Sequence, residues 1–146
     1  MRMNKGNTMR DVKIEKEMCT FLERKLDKFI EYQSVTEKMK RTVSGNDDKN
    51  ELMELINRRQ RCINAIEKIN LSIEKIMKSG SIKFSSISEK YKGLVESCLY
   101  SIKDIIIQVE LMDTELVAIV SERSERIKTK PTKYEIYDKT SRDIRL

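Results

Sequence analysis

The side chains that could do chemistry in this chain are few, and their spacing does not suit it. Histidine is absent, and no two of the three cysteines, Cys19, Cys62 and Cys98, are closer than 36 residues. Neither the paired-ligand spacing of a zinc site nor a thiol with an imidazole base can be drawn from them. Glu51 with Glu54, and Glu110 with Glu115, are the carboxylate pairs one would test for general acid–base work. They stand three and five residues apart on polar helix faces, where carboxylates are ordinarily solvated charges. No glycine-rich phosphate loop occurs. Arg58-Arg59-Gln60-Arg61 is the most basic spot on a helix. Consecutive helical residues splay about 100° apart, so these arginines cannot make one anionic-ligand stripe, and no aromatic residues are interleaved with them. Arg59 falls on an apolar row, where its stem is expected to lie on the core and its guanidinium to reach water or a carboxylate. The chain therefore reads as a non-enzyme with no catalytic residue, no cofactor and no metal.

Composition points to long amphipathic helices. Charged residues make up 37% and hydrophobic residues 38% of 146, with four glycines, one proline and no tryptophan, which is too little turn material for a β fold. The formal net charge of +6 is uneven: +3 over residues 1–50, zero over 51–127 and +3 over 128–146. Acids and bases alternate without the like-charge blocks of a nucleic-acid arm. The opening ten residues are polar and basic with no apolar run behind them, and no apolar run in the chain exceeds the five residues Leu116 to Val120. A reduced, soluble, cytoplasmic protein without membrane insertion is expected.

The hydrophobic period defines three helices. The third is the strongest: Val95, Ile102, Val109 and Leu116 form one line at seven-residue spacing, and Cys98, Ile105, Met112 and Ile119 form the second. The first helix is expected over about 8–43, with Thr8 as its cap, and steps through Met18, Leu22, Phe29, Tyr32, Met39 and Val43. The second, over about 49–78, carries Leu52, Arg59, Ile66 and Ile73 beside Leu55, Cys62, Ile69 and Ile76. The third spans about 86–128. Gly45 and Gly80 are expected as left-handed residues after the first two helices, Asp48 as the cap of the second, and Ser86 with Glu89 as a capping box for the third. The fold class is thus all-α: an elongated antiparallel three-helix bundle over 1–130 with a non-helical, flexible tail over 131–146.

A third helix longer than the second should outrun it, leaving Leu116, Val117 and Val120 apolar on more faces than one neighbour covers. Tyr134 and Tyr137 follow in the tail. These five residues are the expected partner-binding surface, since exposed apolar patches and rigid aromatics mark interfaces.

Three stretches together resemble the FlgN-type flagellar export chaperones. They are the turn Val43-Ser44-Gly45-Asn46-Asp47-Asp48, the basic step inside an aliphatic heptad at Leu52-Met53-Glu54-Leu55-Ile56-Asn57-Arg58-Arg59, and the tail motif Tyr134-Glu135-Ile136-Tyr137-Asp138. The resemblance implies a cytosolic chaperone that binds the C-terminal helices of hook-associated (hook-filament junction) proteins and delivers them to the export apparatus. Residue patterning alone leaves two other readings: a coiled-coil protein that self-associates, as a homodimer for instance, and a basic helical nucleic-acid binder. Salt dependence separates the last of these from apolar groove binding.

Overall fold

The computed structural model describes residues 5–45 and 48–127, with side chains over 12–45 and 48–122. The chain forms α1 (Lys5–Ser44), α2 (Lys49–Gly80), a 3-10 turn (Phe84–Ser86) and α3 (Glu89–Ile127), and no strand occurs among the described residues. The helices run up, down and up, as an all-α three-helix bundle. α1 is the central helix: it packs along both α2 and α3, whereas the backbones of α2 and α3 hardly approach each other. The expected tail, 131–146, lies outside the described residues.

The connections differ from expectation in instructive ways. α1 begins at Lys5, so Thr8 lies inside the helix. Neither Gly45 nor Gly80 is left-handed. After α1, the Gly45 N–H simply continues the helical bonding to the Arg41 carbonyl at 2.9 Å. After α2, Ser81 takes the left-handed position at φ 52°, and the Ile82 N–H closes the turn on the Met77 carbonyl at 3.1 Å. Gly80 serves contact instead: a Cβ there would lie 3.1 Å from Ile14 Cδ1, so the missing side chain lets α2 end against α1. Asp48 caps α2 as expected, its carboxylate accepting from the Asn50 and Glu51 N–H groups at 3.0 and 3.2 Å.

α3 starts at Glu89, two residues later than the Ser86 capping box would place it. Ser86 donates to the Lys83 carbonyl within the 3-10 turn, and Ser88 occupies the cap of α3, its carbonyl accepting from Tyr91 and Lys92. The reason is tertiary. Buried Glu15 of α1 accepts from the Ser88 N–H at 3.2 Å and the Ser88 hydroxyl at 2.5 Å. A carboxylate on one helix thus fixes where another begins, which no local capping pattern could show.

The core divides in two. The upper part joins Leu22, Phe29, Cys62, Ile66, Val95, Ile102 and Ile105, among others, with Phe84 of the 3-10 turn packed over it. The lower part joins Val35, Met39, Val43, Leu52, Leu55, Leu116 and Val120. Arg59 sits at the boundary, fully buried. Its guanidinium makes a two-pronged bond to Asp113 of α3, Nη1 to Oδ1 and Nη2 to Oδ2, both at 2.8 Å. Nη2 also donates to the Tyr32 hydroxyl of α1 at 2.7 Å, and the guanidinium carbon lies 4.8 Å from the Tyr32 ring centre. A long, forked side chain is what the α2–α3 gap requires. Burial pushes the Tyr32 phenol well above its ordinary range, against an opposing pull from Arg59.

Two outcomes follow from this buried group. Asp113→Ala strands a buried cation and should cost about 3–5 kcal/mol, while Arg59→Met with Asp113→Leu should recover most of the loss. Urea denaturation of the three proteins checks this, and equal losses in the single and double variants would contradict it. The phenol's pKa is raised on folding, so its contribution is complete below the unfolded value of about 10 and is lost as pH rises beyond it. The three buried thiols, also raised by burial, add with the same sign from a lower starting point. Stability should therefore fall on the alkaline side, and less steeply in Tyr32→Phe, by denaturant titrations at pH 8 and pH 11.

Candidate partner-binding face on the third helix

The residues that might have carried chemistry are placed apart. Glu51, Glu54 and Glu110 are exposed, and Glu115 forms a surface ion pair with Lys40 of α1. Arg58 and Arg61 point away from buried Arg59 into partly or fully solvated positions. The thiols of Cys19, Cys62 and Cys98 are unpaired and buried, and desolvation holds each above its ordinary pKa, a setting that favours the unreactive thiol. Among the described residues no group of His, Cys, Asp and Glu side chains is arranged to hold a metal ion. No described helix is long and apolar enough to cross a membrane.

The expected partner-binding surface is redistributed by the fold. Leu116 is 0% exposed and Val120 6% exposed, both inside the lower core with Val35, Met39, Leu52 and Leu55. Val117 is half-buried against the same cluster. The expectation that this part of α3 outruns α2 fails because the first turn is so short. α2 starts level with the end of α1, and its first turns cover α3 as far as Val120. Tyr134 and Tyr137 lie outside the described residues.

The most exposed large apolar side chains of α3 lie elsewhere, on the side away from the bundle, with the less exposed Leu94 and Leu99 on its flanks. Tyr100 is 75%, Ile107 47% and Leu111 58% exposed. At about 100° per residue, these three point within about 40° of one another and roughly opposite the Val95–Ile102–Val109 line. Gly93, one heptad before Tyr100, has open space where a side chain would be. Ala118, one heptad after Leu111, is exposed too. The result is a second seam on one helix: one line is spent on α1 and α2, and the other is presented to solvent. Among the described residues nothing packs on it, because α1 occupies the centre of the bundle and α3 stands at its side.

Among the open clefts that flank the helices are these two. One, of about 650 Å³, lies at the end of α2 over Ile73, Met77 and Ile82, rimmed by Lys78 and Lys83. The other, of about 400 Å³, lies between Lys40, Arg41 and Met112. Sequence reasoning missed Tyr100, Ile107 and Leu111 because it followed the stronger line, although the seven-residue step from Gly93 through Tyr100 to Ile107 was there to be read. Comparison with protein-family models, with curated proteins and with solved structures returned no match.

The two lines of α3 should respond differently to substitution. Leu116→Ala should cost about 2–5 kcal/mol, as a buried leucine deletion. Leu111→Gln and Tyr100→Gln should change stability by no more than about 0.5 kcal/mol. Urea midpoints measure the difference, and comparable losses at Leu111 and Leu116 would show that the outward face is packed after all.

Proposed function

We propose that this chain is a non-enzymatic, cytosolic helical chaperone that holds an amphipathic helix of a client protein along the outward face of α3. The observation that carries the reading is the row of Tyr100, Ile107 and Leu111, large apolar side chains that a folded single copy leaves in water. An exposed row of this kind on a rigid helix, broken by Asp104 between Tyr100 and Ile107, suits a partner helix with apolar residues at three- and four-residue steps. Tyrosine adds a large contact area with few rotatable bonds. The likeness to FlgN-type chaperones names the client class: the C-terminal helices of hook-associated proteins, with hand-over to the export apparatus. The tail tyrosines of the FlgN-like motif, Tyr134 and Tyr137, lie outside the described residues.

Calorimetry against the C-terminal helical segment of a hook-associated protein from the same organism tests this. Binding is expected, and Ile107→Gln with Leu111→Gln should weaken it tenfold or more, which is about 1.4 kcal/mol. Affinity that is insensitive to ionic strength is expected as well, since the contact is apolar. No binding, or equal binding by the double variant, would contradict the proposal.

A further inference from the structure

The outward face of α3 is built to pair with itself. We infer that a second copy of this chain docks there, α3 against α3 in antiparallel orientation, centred between residues 105 and 106. The first observation is the layering. Positions 93, 100, 107 and 114 and positions 97, 104, 111 and 118 alternate by four and three, as the two core lines of a heptad seam do, and all eight are exposed. In the antiparallel register centred at 105–106, Tyr100 meets Leu111 of the second copy, and the open notch at Gly93 meets Ala118. Each layer occurs twice through the two-fold axis, the isologous arrangement a dimer of identical chains requires.

The second observation is charge, and it selects this register over the others. The residues flanking the seam on one side are Glu96, Lys103, Glu110 and Val117. At the chosen register Lys103 stands opposite Glu110 of the second copy, twice. Slipping one heptad one way puts Lys103 on Lys103 and Glu96 on Glu110. Slipping it the other way puts Glu110 on Glu110. A parallel pair would bring Asp104 onto Asp104 and Glu110 beside Glu115. Each alternative sets like charges together, and only the pairing at 105–106 joins opposite ones. Lys103 and Glu110 are both exposed in the single copy. Asp104 lies within the seam opposite Ile107, and a polar residue there fixes register at the expense of affinity. The expected dimer is accordingly weak and reversible, with a dissociation constant on the order of micromolar.

Pairing stands on this face alone, but its consequence rests on the function proposed above. A dimer would cover Tyr100, Ile107 and Leu111, the same side chains a client helix would take. Self-association would then keep the apolar face out of water until a client displaced the second copy, and client affinity would fall as the chaperone concentration rose.

Sedimentation equilibrium of the full chain across concentration, without client, tests the pairing. A monomer–dimer equilibrium is expected for the native sequence. Lys103→Glu and Glu110→Lys should each weaken it at least tenfold, and the two together should restore it, because the exchanged charges again meet. Circular dichroism of all four proteins should show the same helix content, since both positions are on the surface. A native chain that stays monomeric at high concentration, a dimer indifferent to the single exchanges, or a double exchange that fails to re-pair would each overturn the inference. Calorimetry with the client segment is read separately: absence of client binding by a chain that dimerises as described would strike the proposed function and leave the pairing intact.

Discussion

A guanidinium with no access to water, held on one side by a carboxylate and on another by a phenol, is the constraint on which this bundle depends. Arg59 comes from α2, Asp113 from α3 and Tyr32 from α1, so one group ties all three helices at one level. Apolar packing alone would not set that level. Heptad lines of leucine, isoleucine and valine tolerate a slip of seven residues, because one aliphatic replaces another. The row containing Asp113 reads Leu99, Ile106, Asp113, Val120. Sliding α3 by one heptad in either direction would bring Ile106 or Val120 to the guanidinium and leave a buried cation without its anion. That penalty amounts to several kcal/mol, a large share of a marginal stability. Glu15 on Ser88 repeats the device at the other end, by fixing the residue at which α3 starts.

The register has a consequence for the surface. With α3 set by Asp113, the Val95–Ile102–Val109 line and Leu116 turn fully into the core, and the line through Tyr100, Ile107 and Leu111 turns fully out. An α3 rotated by a quarter turn would bury parts of both lines and present neither. The arrangement of the helices also matters. α1 takes the central place and covers α2 and α3 together, while those two keep their backbones apart and meet through side chains, in both parts of the core and at the Arg59–Asp113 pair. A layout of this kind leaves the far side of α3 without a neighbour among the described residues.

Much of the fold was legible in the sequence, and the reasons are periodic. Three helices, their order, their approximate limits and most core residues follow from seven-residue lines that contain few interruptions. Arg59 was legible as an exception within such a line. Its partners were less so: Asp113 is one acid in the row Leu99, Ile106, Asp113, Val120, and periodicity alone does not mark it as the partner of Arg59. Features that depend on contact between distant segments were not legible. Ser88 rather than Ser86 caps α3 because Glu15 reaches it across 73 residues. Gly80 looked like a turn residue and proved to be a place where Ile14 comes close. The binding surface was sought at Leu116 and Val120 on the argument that α3 outruns α2. The length estimate was sound, but it did not fix the level of α2 relative to α3, which the short turn after α1 decides.

The central claim, that the Arg59–Asp113 bond sets the level of α3 within the bundle, is tested most directly by distance. Spin labels at exposed positions 67 on α2 and 90 on α3, introduced as Glu67→Cys and Lys90→Cys, report the offset of the two helices by double electron–electron resonance in dilute solution. The native sequence should give one narrow distance. Arg59→Met with Asp113→Leu, which keeps the apolar volume and removes the charged pair, should give a broadened or multiple distribution, with components displaced by about 10 Å for a one-heptad slip. A double variant as narrow as the native protein, at the same distance, would show that the register holds without the Arg59–Asp113 bond and would contradict the account.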